Sequence, residues 1–293
     1  MPPEAPSRAD RSAVKLGLIA GGGALPVHLV EACLASGRAF HIIALKGLTD
    51  PALEVHPHTW CGLGTVGHTV SVLKETGCGA ICMAGIVRRP NFSDLKLDLL
   101  GTRLLPRALK AARGGDDALL RFLVEIFEER GFAVEGADQV MGSLLAPGGP
   151  MGAHAPDGDA LKDMDLAWRV ATRLGEFDIA QGAVVVRGLV LAVEAAEGTD
   201  AMLARCAGLP APLRGNDAAR AGVLVKRPKP GQERRLDLPT MGVRTVEGAA
   251  EAGLAGIGIA AGGSLVLDRQ AVVEAADRLG LFVVGIKGEP SEP

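Results

Sequence analysis

Between Gly222 and Gly242 the sequence runs GVLVKRPKPGQERRLDLPTMG. Lys226, Arg227, Lys229, Arg234 and Arg235 fall within ten residues, against a single acid, Glu233. Pro228, Pro230 and Gly231 interrupt them, so the segment reads as a stiff loop and not as a charged helix face. Asp237 follows directly, held between Leu236 and Leu238 just before Pro239. Cations on a rigid loop neutralise phosphate oxygens, and a neighbouring carboxylate holds a hard cation such as magnesium. The combination suits a phosphorylated, metal-bound ligand; a solvated basic turn is the plain alternative. A second group of acids, Glu194, Glu197 and Asp200, is expected where a strand meets a helix, with Thr199 or Asp200 as the helix cap. Glu194 and Asp200 are the candidates there for a metal, and Glu197 reads as solvated.

These residues need strands to aim them. VLV at Val223–Val225 is the strand before the cationic loop. AVVVRGLVLAVEA reads as a hairpin divided at Arg187-Gly188. A helix is expected from Ala160 to Leu174, another from Thr245 to Ala252, and a third from Asp268 to Leu279. GIGIAAGGSLVL, Gly256 to Leu267, reads as a hairpin turning on Gly262-Gly263, and LFVVGIK closes the sheet. Near the start, KLGLIA is a strand, Gly21 to Pro26 a turn, and a helix runs to about Ser36 before the strand AFHIIAL. This β-α-β unit offers backbone amides at a phosphate-cradling position. The dinucleotide fingerprint is incomplete, since Pro26 takes the place of its third glycine and Lys46 stands where a ribose-binding acid belongs. GLGTVG leads a helix to about Thr76, CGAICMAG gives a strand, and Arg88 and Arg89 follow it, where parallel sheets bind ligands. Asp94 to Arg113 reads as helix broken near Gly101 and Pro106, and Asp116 to Gly131 as an amphipathic helix.

The fold class is therefore α/β, with a Rossmann-like N-terminal domain over residues 13–145, a C-terminal domain over 160–288 and a Gly- and Pro-rich linker at 146–159. No tyrosine occurs and the net charge is −3, which argues against nucleic-acid binding. The cysteines Cys33, Cys61, Cys78, Cys82 and Cys206 form no CxxC pair and read as small core residues of a reducing compartment. His56 and His58 lack a third ligand at metal spacing. The first twelve residues are polar and no uncharged apolar run reaches spanning length, so a cytoplasmic protein is expected and any membrane role is peripheral. No basic amphipathic helix stands out. On these residues alone, a protein that binds lipid or nucleotide without turning it over, or a nucleotide-dependent oxidoreductase, remains open.

GLIAGGGALP, GDDALLRFLVEIFEERG, VLAVEAAEGTDAML, VLVKRPKPGQERRLDLPTMG and LFVVG, in that order along nearly the whole chain, resemble the LpxI-type UDP-2,3-diacylglucosamine pyrophosphatases. The resemblance implies hydrolysis of the diphosphate of UDP-2,3-diacylglucosamine to UMP and 2,3-diacylglucosamine 1-phosphate (lipid X) in lipid A synthesis, with Mg2+ as cofactor. It implies two α/β domains with a ligand chamber between them. Asp237 in DLPT takes the part of the key catalytic acid, with Lys226 and Lys229 beside it. Asp237, Glu194 and Asp200 are the expected metal ligands. Gly22, Gly23, Ala24, Arg89, Gln181, Thr199, Gln232 and Arg235 are the expected substrate contacts. Ala180 and Met241 depart mildly from the family pattern. The partners implied are a lipid-linked UDP-sugar and, transiently, the inner face of the inner membrane, with no nucleic acid; a homodimer is left open.

Overall fold

The computed structural model describes residues 13–87 and 91–288. Contacts divide the chain into two compact units: one runs to Gly142 and takes in Glu233–Leu236, and the other holds Ser143–Gln232 and the chain from Asp237 onward.

The first unit contains β1 (Leu16–Ala20), α1 (Leu25–Ser36), β2 (Phe40–Leu45), β3 (His58–Cys61), α2 (Val66–Glu75), β4 (Ala80–Ala84), α3 (Leu99–Arg113), α4 (Asp116–Glu128), β5 (Ala133–Glu135) and the one-turn α5 (Ala137–Val140). Its strands are all parallel in the order β3-β2-β1-β4-β5, the Rossmann arrangement. β1 is buried along its whole length, because helices cover both faces of a parallel sheet. β3 was not anticipated: HTWC has no clean apolar period, and it is an edge strand paired only to β2. α3 is continuous from Leu99 where a break was expected. Gly101 lies in its first turn, its amide donating to the capping Asp98 side chain, and Pro106 sits inside the helix. Leu104 holds this helix to Phe122 and Ile126 of α4, and that packing outweighs the hydrogen bond Pro106 removes.

The second unit contains β6 (Gly149–Pro150), α6 (Gly158–Gly175), β7 (Gly182–Val186), β8 (Leu189–Val193), α7 (Gly198–Ala207), β9 (Val223–Lys226), β10 (Thr240–Met241), α8 (Val243–Glu251), β11 (Gly256–Ala260), β12 (Leu265–Val266), α9 (Arg269–Leu279) and β13 (Phe282–Ile286). The main sheet has the order β6-β13-β11-β9-β7-β8; β9, β11 and β13 are parallel, and β7, β8 and β6 run antiparallel to their neighbours. Alternation fixes its two faces. Ala183, Val185, Val223 and Val225 meet Ala160, Met164, Ala167 and Trp168 of α6. Val184, Val186, Ala192 and Leu224 meet Met202 and Leu203 of α7, with residues of α8 and α9.

Two expectations fail here. The stretch from Gly256 to Leu267 is not a hairpin: β11 lies between β9 and β13, parallel to both, while β12 pairs with β10 in a separate two-stranded sheet. GIGIA is wholly buried, as an inner parallel strand must be. The residues 146–159, read as the linker, belong to the second unit. Ala146 N donates to Ser264 O at 2.9 Å, β6 pairs with β13, and Asp157 caps α6. All five cysteines are free and buried, as small core residues should be.

Candidate active site

The decisive row of residues crosses three neighbouring strands of the second unit. Lys226 ends β9 and shares the parity of Leu224, so it points to the α7 side of the sheet. Glu194 follows β8 with the parity of Ala192 and takes the same side; its amide donates to Gly182 O at 2.9 Å. Gly182 opens β7 between them and pairs with Lys226 in register. A Cβ at Gly182 would stand 2.6 Å from Glu194 Oε2, so only glycine lets the carboxylate lie across the strand. Lys226 Nζ lies 3.7 Å from that oxygen, an ion pair without a hydrogen bond. Thr199, in the first turn of α7, ties the two: its hydroxyl donates to Glu194 Oε1 at 2.8 Å and accepts from Lys226 Nζ at 2.6 Å. Lys226 Nζ also donates to Thr240 O at 3.0 Å, which fixes the start of β10. Lys226 is 3% exposed and Glu194 6%. Glu194 Oε2 has no hydrogen-bond donor.

Asp237 completes the group. Gln232 Nε2 donates to its Oδ2, and Gln232 Oε1 in turn accepts from Lys229 N at 2.8 Å, so the turn of the cationic loop fixes the carboxylate. Burial raises the Asp237 carboxyl above its ordinary value. The Gln232 hydrogen bond and the charges of Lys229 and Lys226 pull it down, Glu194 pushes it up, and burial prevails. Among the described residues no protein group is hydrogen-bonded to Asp237 Oδ1. The loop is seated against the end of α6: a Cβ at Gly175 would stand 3.0 Å from Pro230 and 3.3 Å from Lys229 Cα. Lys229 Nζ donates to Asp178, which adopts the left-handed backbone (φ 59) just beyond that helix. A carboxyl group raised by burial, a second carboxylate with an unmatched oxygen and two lysines are thus grouped at the carboxyl end of a central strand, the combination of charges that an anion with a hard cation would call for.

Residues 15–144 match the family model described as the LpxI N-terminal domain, and residues 147–284 the one described as the LpxI C-terminal domain. The chain belongs to the LpxI family. It is 53% identical over 278 residues to the UDP-2,3-diacylglucosamine pyrophosphatase LpxI of Caulobacter vibrioides (strain ATCC 19089 / CIP 103742 / CB 15), covering 95% of this chain and 99% of that protein. The group around Lys226 therefore lies inside the LpxI C-terminal domain.

Of the residues expected at this site, Asp237, Lys226, Lys229, Glu194, Thr199 and Gln232 are joined by the bonds and charges above. Gln181 is adjacent in sequence to Gly182; its carbonyl accepts from Arg227 N at 2.9 Å, and its Oε1 is buried without a donor. Asp200 is a correction. Its carboxylate pairs with Arg244 at 2.8 Å on the surface, and the helix geometry that aims Thr199 at Lys226 turns the next residue elsewhere. Neither Thr199 nor Asp200 caps α7; Glu197 precedes it and binds Arg205. Arg235, expected as a substrate contact, makes its bonds elsewhere. It belongs to the first unit, where its guanidinium donates to Glu233 and, at 2.7 Å, to Glu128 of α4, holding it strongly protonated. Glu233 N donates to Asp117, so these acids dock the segment. Gly22, another expected contact, has its amide donating to Ile86 O and its carbonyl accepting from Ile86 N. Gly23 (φ 82) and Ala24 remain exposed at the head of α1. Arg89 lies outside the described residues. Gly182, Asp178 and Thr240 were missed; the parity shared by Lys226, Gly182 and Glu194 across paired strands is the signal for the first, and it needs the strand order.

Proposed function

We propose that this chain hydrolyses the diphosphate of UDP-2,3-diacylglucosamine to UMP and 2,3-diacylglucosamine 1-phosphate, a step of lipid A biosynthesis. The observation that carries the reading is the Lys226–Thr199–Glu194 relay beside Asp237, in a chain matched over 95% of its length by a relative of that name. Breaking a phosphoanhydride needs little covalent help from protein; it needs positioning and neutralisation of developing charge. Lys226 and Lys229 would neutralise diphosphate oxygens, with Thr199 and Asp178 holding their ammonium groups. Asp237 Oδ1 would orient the attacking water or meet the metal. Gln181 Oε1 would accept from a donor on the nucleotide or sugar.

Magnesium suits the residues present. Among the described residues no group of three or more His, Cys, Asp or Glu could hold a metal. Magnesium does not ask for one, since it is held by one or two carboxylates together with substrate phosphates and water. Glu194 Oε2, lacking a donor, and Asp237 are the two that would hold it. Bound there it would supply positive charge to the diphosphate.

Among the described residues no helix is long and apolar enough to cross a membrane. The enzyme would meet its two-chain substrate as a peripheral protein on the cytoplasmic face of the inner membrane. Incubation with UDP-2,3-diacylglucosamine and magnesium tests the reading: release of UMP is expected. Retention of lipid without UMP would make the protein a binder instead.

A further inference from the structure

α3 presents a cationic face for which the described residues provide no acid. Leu99, Arg103, Pro106, Lys110 and Arg113 recur at alternating four- and three-residue spacing, which lines them along one side of a helix. All five are exposed. The opposite side, with Gly101, Leu104 and Ala112, is buried. No acid occurs between Leu99 and Arg113. Arg107, at the edge of the stripe, is held by Glu129 and Glu125 and lies over the Phe122 ring. Arg103, Lys110 and Arg113 have no acidic partner among the described residues. Two leucines open onto the same side of the helix, Leu99 at 70% and Leu109 at 40% exposure. α3 is therefore a basic amphipathic helix of the kind the sequence did not bring out. Pro106 and Gly101 disguised it as two short pieces.

We propose that this face of α3 docks the protein on an anionic lipid surface. The charge is complementary: a row of cations with no acidic partner among the described residues faces outward from a chain whose net charge is −3. Leu99 and Leu109 beside the row suit an acyl–headgroup boundary, and no aromatic residue stands between Leu99 and Arg113 on which a nucleic-acid base could stack. The inference deepens the reading above, because a substrate with two acyl chains has to be met at such a surface. The inner side of α3 is packed in its own unit, so the contact is electrostatic, shallow and reversible.

The test is sedimentation of the full chain with vesicles of phosphatidylcholine alone and of phosphatidylglycerol mixed with phosphatidylcholine. Binding is expected to the mixed vesicles only, and to weaken as salt rises. The triple variant Arg103→Gln/Lys110→Gln/Arg113→Gln should lose about fivefold in partitioning per cation, roughly a hundredfold in all. The charge-keeping variant Arg103→Lys/Lys110→Arg/Arg113→Lys should bind as the parent does. Equal binding of the parent to both vesicles, no binding to either, or unchanged binding of the triple variant would overturn the proposal. UMP release from substrate in detergent micelles is read separately. The triple variant should keep it, and its absence in the parent would count against the hydrolase reading while leaving the vesicle result standing.

Discussion

Lys226 and Glu194 make an ion pair whose worth follows from its geometry, and Lys226→Met probes it. The charges are 3.7 Å apart and their side chains are 3% and 8% exposed. At an effective dielectric of about 20, that separation corresponds to about 4 kcal/mol of attraction. Methionine fills much of the space but leaves the Glu194 carboxylate buried with only the Thr199 hydroxyl, and leaves Thr240 O without its ammonium donor. Orphaning one member of a buried pair costs about 3–5 kcal/mol, against a typical total stability of about 5–15 kcal/mol. Adding Glu194→Gln removes the orphaned charge and should restore about 2 kcal/mol, because replacing both members of a buried pair is far milder than breaking it. Urea unfolding of the parent, both single variants and the double variant, in chelator so that metal is not a variable, gives the coupling energy directly. A cost below about 1 kcal/mol for Lys226→Met, or a double variant no more stable than that single one, would refute the buried pair.

Other expectations follow from the same geometry. Asp237→Ala should lower kcat about a thousandfold while substrate retention persists, read by UMP release and by equilibrium binding; near-normal turnover at saturating substrate and magnesium would remove the acid from the mechanism. Because burial raises the Asp237 carboxyl, its ionised form is lost at a higher pH than for an ordinary aspartate, so kcat/KM should fall on the acid side through that raised value and the profile should flatten in the Asp237→Asn variant. The same raised value makes Asp237 favour folding only while protonated. That benefit is full below the ordinary aspartate range and is lost as pH rises through the raised value, so Asp237→Asn should gain thermal stability over the parent at neutral pH and show no gain in strong acid. Gly182→Ala should evict the Glu194 carboxylate, at a cost of about 1–3 kcal/mol in unfolding free energy and with loss of activity; normal activity would show that the carboxylate need not lie across β7.

Much of this protein was legible in its residues. The apolar runs of β1, β2, β4, β7, β8, β9 and β13 and the capped helices gave an α/β chain in two halves, because period and turn chemistry are local properties. The cationic loop with Asp237 was legible for the same reason: its prolines and charges act over a few bonds. What the residues left open depends on distance in space. Whether GIGIA folds back on LVL or enters a sheet beside β9 and β13 is decided by which surfaces remain to be buried. Asp200 and Thr199 are equivalent in sequence as acid and hydroxyl near Glu194, but successive helix positions point apart, and only Thr199 meets Lys226. Arg235 reads as a cation of the loop, and only the fold shows its guanidinium donating to Glu128 and Glu233. Gly182 is an unremarked glycine until the register sets it between Glu194 and Lys226, where its missing side chain is what allows opposite charges on two strands to meet.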